Sequence, residues 1–347
     1  MTGTDPAAGA VGSVAMPEVT VVIVNYNAGA WLQRCLDALR AQSVGSFDII
    51  VVDNASTDDS LALAGAALAD VRIRLVRLDE NTGFAAANNR AVAMTAATWI
   101  ALLNPDAFPE PDWLARLMAA TRRHPGAAMF GSTQLDASDD RRLDGAGDQY
   151  LFAGMPWRGG YGAPVGKMPS EGEVFSPCAA AALYRRDAFV AAGGFDERYF
   201  CYVEDVDLAF RLRLAGERCV QVTDARVHHV GGASSDSGDG GSDFARFHGT
   251  RNLVWTFVKC MPGGLFWPLL PIHAAFLMAL CLRAALRGRL GPVRRGVGAA
   301  IAGLPAAFSQ RRRIQHARTA TTRDIARVLC WSLPRYLRRD AFTRPAR

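Results

Sequence analysis

Three stretches of this chain share one pattern: an unbroken apolar run that stops abruptly on polar residues. They are VTVVIVNYN (19–27), FDIIVVDNASTD (47–58) and TWIALLNPDA (98–107). Such runs suit strands buried on both faces, the habit of parallel sheets. Between them, Trp31, Leu32, Cys35, Leu36 and Leu39 recur at helical spacing. Residues 60–69 read as a helix, 71–78 as an alternating strand, and 81–97 as a glycine-containing turn running into a helix. Strand–helix units in series imply right-handed crossovers, hence an α/β fold: a Rossmann-like, mostly parallel sheet flanked by helices. Ligands gather at the carboxyl ends of such strands. Asn25, Asp53, Asn81 and Asp106 all fall at those ends or just after them.

The chain has 347 residues, enough for one large domain with an appendage or for two domains. Residues 1–16 are small and polar, without a basic start or a signal-length apolar stretch, and are expected to be a disordered lead-in. The seven cysteines are scattered and form no CxxC pair, which points to a reduced, cytoplasmic setting. Residues 131–176 are rich in glycine and proline and read as loops. The polar stretch GGASSDSGDGGSD (231–243) reads as a flexible loop suited to a lid.

From residue 263 onward the character changes. The stretch 265–282 is apolar, though Pro268, Pro271 and His273 interrupt its first half. Residues 283–347 carry sixteen arginines against only Asp324 and Asp340, so the remainder of this +6 chain is net acidic. Residues 263–347 are therefore expected to form a helical tail lying on an anionic membrane surface, with arginines at the headgroups. A buried helical hairpin is the alternative. Nucleic acid is not expected as a partner, because the basic tail lacks interleaved aromatics and a recognisable module.

Residues 198–216, RYFCYVEDVDLAFRLRLAG, set Glu204, Asp205 and Asp207 together at the start of a helical pattern. Carboxylates at a helix N-terminus are stabilised by free N–H groups, so all three could serve as caps. The aromatics before them argue for a more enclosed position.

Taken in order, VVIVNYN, VVDNASTD, ENTGFAAANN, LLNPDA, CAAAALYRRDAF, GGFDERYFCYVEDVDL, VHHVGGASS and the RN pair at 251–252 form a series that resembles the large inverting glycosyltransferase family two, which has the GT-A fold. Within it the series is most similar to bacterial rhamnosyltransferases of cell-surface polysaccharide assembly. The resemblance covers roughly residues 17–260, so residues 17–262 are expected to be the catalytic domain.

The resemblance implies a nucleotide-sugar donor and a saccharide or lipid-linked acceptor. It gives Asp205 the role of general base, with Glu204 orienting it or touching the acceptor. Asp53 would meet the nucleoside, joined in the binding set by Asn25, Asn27, Asn81, Gly83, Asn88 and Asn104. NPDA resembles a metal-binding DxD element with Asn104 in place of its first Asp, so Asp106 would hold Mg²⁺ or Mn²⁺. His229 would be a second metal ligand, and His228, one residue away on a strand, would point elsewhere. Related sequences often carry arginine where Asn88 stands, which leaves Arg251 as the expected diphosphate partner. Trp157 and Arg158 would help choose the sugar. The implied location is cytoplasmic, peripheral on the inner face of the membrane. A nucleotidyltransferase would be expected to carry a glycine- and lysine-rich phosphate signature near the start, and VNYNAGAW has none. A non-catalytic binding protein would have no need of Asp106, Asp205 and His229 together.

Overall fold

Val19–Asn25 (β1) is buried along its whole length, because it runs in the middle of a sheet with parallel strands on both sides. The computed structural model describes residues 17–231 and 242–346. The lead-in 1–16 lies outside the described residues, as does most of the 231–243 stretch. The remaining strands, in chain order, are Phe47–Asp53 (β2), Ile73–Arg77 (β3), Trp99–Leu103 (β4), Ala107–Pro109 (β5), Ala127–Asp136 (β6), Asp139–Ala146 (β7), Asp148–Leu151 (β8), Met155–Arg158 (β9), Gly172–Glu173 (β10), Ala181–Arg185 (β11) and Arg218–His229 (β12).

The main sheet runs β10-β12-β6-β11-β4-β1-β2-β3, with β5 on β12 and β7 on β6. The strands β3, β2, β1 and β4 are parallel, as the apolar runs require. The other half is mixed. β11 runs antiparallel between β4 and β6, while β12 is parallel to β6. The mostly parallel sheet thus describes the first hundred residues, and hairpins extend it beyond them.

Local patterns explain most of the elements. Helix Trp31–Arg40 buries Leu32, Cys35, Leu36 and Leu39, the stripe its spacing dictates. Residues 60–69 form two short helical turns, Ser60–Leu63 and Gly65–Leu68, hinged at Ala64; this stretch has only a weak apolar stripe to bind it into one helix. The expectation of loops over 131–176 is corrected. Most of β6, and β7 to β10, lie there, with their alternation obscured by short strands and tight glycine turns. The β8–β9 hairpin forms its own small sheet.

The C-terminal residues share a core with the residues before 263. Phe266, Leu269, Ala300, Ala307, Ile325 and Leu329 cluster with Tyr150, Phe175, Phe210 and Phe257. Helix Gly263–Leu286 contains Pro268 and Pro271 without breaking. His273 in this helix is buried, stacks on Phe257 at 4.1 Å and bonds Ala153 O at 2.8 Å through Nδ1. Trp255 donates to Ala300 O at 3.0 Å, and the backbone of helix Leu290–Ala302 comes so close at Gly296 that a Cβ would meet Phe247 O at 2.7 Å. The same apolar helix keeps Trp267, Met278, Leu282 and Leu286 more than 60% exposed. Its mean hydropathy of 2.0 and length of 24 residues are enough to cross a membrane.

Candidate active site

A cavity of about 500 Å³ opens over the carboxyl ends of β1 and β4, lined by Asn27, Asn81, Gly83, Asn104 and Asp106 on one side and by Asp148, Trp157, Arg158, Glu204 and Asp205 on the other. Of the residues expected at the site, most line this space. Asn25 and Asp53 sit just outside its wall. Asn25 is fully buried, and its amide donates to Asp53 Oδ1 at 2.9 Å, Ser56 Oγ at 3.0 Å and Ser60 Oγ at 2.9 Å. Those contacts lock the ends of β1 and β2 to the loop that follows. Asn54, next to Asp53, reaches the cavity and donates to Asn81 Oδ1 at 2.8 Å, which also accepts from Gly83 N at 3.0 Å. Asn27 stands at φ 51°, its Oδ1 accepting from Thr57 N at 2.8 Å.

Gly83 lines the cavity. Its φ is +84°, and a Cβ there would strike the Phe200 ring and carbonyl at 2.6–2.7 Å, so the close approach is to Phe200. Asn88 is buried outside the cavity lining and donates to Phe84 O one turn back at 2.8 Å. Its amide is occupied by its own helix, since a neutral side chain on an inward helical face finds the nearest free carbonyl.

Arg251 is also placed away from the cavity wall. Its Nη2 donates to Arg198 O at 2.9 Å and Tyr199 O at 2.8 Å, and the guanidinium lies 4.6 Å from the Trp255 ring centre. Asn252 adds three bonds, to Tyr199 O, Cys201 O and Tyr202 O at 3.0, 2.9 and 2.7 Å. The RN pair therefore clamps a loop, through Nε and Nη2 of Arg251 and the amide of Asn252. The clamp has a clear need: Phe200, Tyr202 and Val203 have φ of 65°, 66° and 69°, a conformation costly for non-glycine residues. This strained loop forms part of the cavity wall and leads directly into helix Glu204–Leu214.

Within that helix the three acids part ways. Asp207 is fully buried and is no exposed cap. It pairs with Arg211 Nε at 2.8 Å and Lys259 Nζ at 2.8 Å, and accepts from the Tyr199 hydroxyl at 3.1 Å. Asp205 faces the cavity, its Oδ2 accepting from Ala179 N at 3.1 Å and Oδ1 from Val206 N at 2.8 Å. Burial raises the Asp205 carboxyl, and those two N–H groups and Arg158 oppose the rise. Glu204 is buried with Oε2 unpartnered, pushed up by burial and by Asp205.

At the far end of β12 the register sets His229 beside Ala107, so its ring faces Asp106. His229 Nε2 lies 3.4 Å from Asp106 Oδ1, and Nδ1 lies 2.7 Å from Asp144 Oδ2. His228 points to Glu110 at 3.7 Å instead. Burial works against a charged imidazole at 229, but Asp106 and Asp144 outweigh it and push the ring up to about 9. A buried imidazole with one nitrogen anchored by a carboxylate, and the other unbonded and facing a second carboxylate, fits a divalent cation. Asp106 Oδ1 and His229 Nε2 are the atoms that could hold it. Among the described residues, Arg158 is the one basic side chain of the cavity wall, and Asp144 already binds it at 2.6 Å. The remaining charged side chains of the wall are carboxylates, Asp106, Asp148, Glu204 and Asp205, a lining with which a cation is compatible.

Asp144 and Asp148 were missed by sequence reasoning, and Asn252 was marked only as part of the RN pair. LDGAGD, with two acids and two glycines, was the available signal, but it lay in a stretch read as loop. Trp157 and Arg158, expected to touch the sugar, do line the cavity.

Comparison with known proteins identifies the family and the fold. The model for "Glycosyl transferase family 2" matches residues 20–191. An N-acetylglucosaminyl-diphospho-decaprenol L-rhamnosyltransferase of Mycobacterium tuberculosis is 31% identical over 293 residues, covering 78% of this chain and 92% of the relative. Among solved structures, the mannosyltransferase PcManGT from Pyrobaculum calidifontis, in complex with GDP-Man and Mn²⁺, superposes with a TM-score of 0.52 at 19% identity, covering 88% of this chain and 86% of its own. S. aureus TarS 1-349 in complex with UDP-GlcNAc gives 0.56 at 14% identity, covering 93% and 92%. These two likenesses show the fold, a GT-A α/β architecture. On the matched domain and the near full-length likeness to the rhamnosyltransferase, the chain belongs to glycosyl transferase family 2.

Proposed function

We propose that this family 2 glycosyltransferase moves a sugar, with rhamnose favoured, from a nucleoside-diphosphate donor to a lipid-linked saccharide, with inversion at the anomeric carbon. The observation that supports the reading is a single cavity lined by both Asp106 and Asp205, with the buried His229 Nε2 3.4 Å from Asp106 Oδ1. The mycobacterial relative supports both the sugar and the lipid-linked acceptor.

Asp106 Oδ1 and His229 Nε2 would hold Mg²⁺ or Mn²⁺, with Asp144 fixing the imidazole. A cation held there would supply Lewis-acid stabilisation of the departing diphosphate. Asp205 accepts the acceptor hydroxyl's proton as that oxygen bonds to C1 and the C1–O bond to diphosphate breaks. Its two backbone N–H bonds keep the carboxylate aimed into the cavity. Trp157 and the Phe200–Val203 loop enclose the sugar and limit water. The catalytic region is taken as residues 17–262. The exposed apolar face of helix Gly263–Leu286 and the arginines after it rest on the cytoplasmic membrane surface, where a lipid-linked acceptor resides.

The test is a donor screen: purified protein, Mn²⁺ and a panel of UDP-, GDP- and dTDP-sugars, reading nucleoside diphosphate release. One donor is expected to be turned over, and EDTA is expected to stop it. Asp205→Asn should abolish transfer while keeping nucleotide binding; transfer at the wild-type rate would refute the base assignment.

A further inference from the structure

Asp148 opens β8 at the cavity floor. Its backbone is fixed by Ser176, with Asp148 N bonding Ser176 O at 2.8 Å and Ser176 N bonding Asp148 O at 3.2 Å. The side chain lines the cavity yet is only 8% exposed, and no donor among the described residues reaches its Oδ1. A carboxylate oxygen of Asp148, one of Asp205 and Cys178 Sγ all lie within 4.8 Å of one another.

Two buried carboxylates this close do not both ionise near neutral pH. The proton settles on whichever anion is less well solvated by the protein. Asp205 receives an N–H at each oxygen, while Asp148 Oδ1 receives none. Arg158 faces both, but its Nη1 is bound to Asp144 at 2.6 Å and its Nη2 to Cys178 Sγ at 3.3 Å. The other groups facing Asp148 are Asp144, which adds negative charge, and the buried Cys178, Tyr184 and Cys219. Burial raises the Cys178 thiol to about 12, so it is neutral and a poor metal ligand here. Burial first, and Asp205 second, push Asp148 up to about 8 against the pull of Arg158.

We propose that Asp148 works as a neutral carboxylic acid, donating a hydrogen bond to a saccharide oxygen held next to the hydroxyl that Asp205 deprotonates. Its proton stays on Asp148 throughout turnover, and the proton lost by the acceptor goes to Asp205. This inference rests on Asp205 being the base. It adds a hydrogen-bond donor beside the cavity carboxylates Glu204 and Asp205. It also gives the enzyme an alkaline limit: above about pH 8 Asp148 ionises, its donor is lost, and a second negative charge crowds Asp205.

The experiment is steady-state kinetics of the full chain with Mn²⁺ and the donor found in the screen, from about pH 6 to about pH 10. Wild type should lose kcat/KM about tenfold per pH unit above about 8. Asp148→Asn keeps a donor and cannot ionise. It should lose activity a few-fold at neutral pH and carry its alkaline limb at least about one pH unit higher. Asp148→Ala should lose about tenfold or more. A raised KM for the donor, or for the acceptor, identifies which sugar the hydrogen bond serves. An unmoved alkaline limb in Asp148→Asn overturns the proposal, as does a fall in Mn²⁺ affinity, which would make Asp148 a metal ligand. Asp205→Asn separates the two readings. If it still transfers sugar, the base assignment fails; if it is dead while the Asp148→Asn limb is unmoved, only the present inference fails.

Discussion

The ring of His229 is held by Asp144, Nδ1 to Oδ2 at 2.7 Å, from a strand 85 residues earlier in the chain. Asp144 itself is kept ionised. Burial would raise its carboxyl, but Arg158 and His229 outweigh burial and hold it below its ordinary range. Asp144 therefore fixes which imidazole nitrogen faces Asp106 without reaching the cavity itself. Asp144→Asn is expected to weaken Mn²⁺ binding about 10- to 100-fold, measured by calorimetric titration, and Asp144→Ala by at least as much. Unchanged Mn²⁺ affinity in both variants would leave His229 oriented by something else.

Asn252 satisfies three carbonyls of the loop that carries the positive-φ residues Phe200, Tyr202 and Val203. Asn252→Ala leaves those carbonyls short of a donor and releases the loop. The expected loss is about 1–3 kcal/mol in denaturant unfolding, with kcat falling because helix Glu204–Leu214 starts where this loop ends. Asn252→Asp should be worse, since a carboxylate would face the same carbonyls. A variant as stable and active as wild type would show that the loop holds its shape unaided.

Lys259 is buried between Asp196 at 2.6 Å and Asp207 at 2.8 Å. Burial opposes ionisation of both acids. Lys259 outweighs it at Asp207 together with Arg211, and at Asp196 together with Arg198, holding both carboxyls below their ordinary range. Because their folded-state values are depressed, this stabilisation is complete above the unfolded aspartate value of about 3.9 and is lost as pH falls below it. Lys259→Met should cost about 3–5 kcal/mol at neutral pH, and the gap to wild type should narrow below about pH 4. Unfolding curves at both pH values decide it; a constant gap would show that the charges do not contribute.

Trp267, Met278, Leu282 and Leu286 fall within about 100° of arc on helix Gly263–Leu286, and all four are exposed. Deleting residues 263–347 would also strip Phe266 and Leu269 from the core, so it cannot separate membrane binding from folding. Replacing the exposed residues can: Trp267→Gln with Met278→Gln and Leu282→Gln should leave the melting temperature near wild type. The same variant should reduce flotation with anionic vesicles about tenfold or more. Undiminished flotation would mean that this face is not the membrane contact.

The sequence by itself determined that parallel strands form in the first hundred residues and that polar residues gather at their carboxyl ends. A short apolar run with no alternation, bounded by turn residues and rich in Val and Ile, suits a strand covered on both sides, and its first polar residues emerge at one edge. Of the four residues so marked, Asn81 and Asp106 line the cavity while Asn25 and Asp53 do not, and the family resemblance added Asn27, Asn104, Glu204 and Asp205 to its wall. Tertiary structure alone decided what the remaining polar groups do. Asn88 was absorbed by its own helix, Arg251 and Asn252 by a strained loop, and Asp207 by a buried lysine. Asp144 and Asp148, in a stretch that reads as loop, became parts of the site. A polar side chain bonds whatever donor or acceptor the fold brings within about 3 Å, and here those partners come from positions dozens of residues away, which no local pattern encodes.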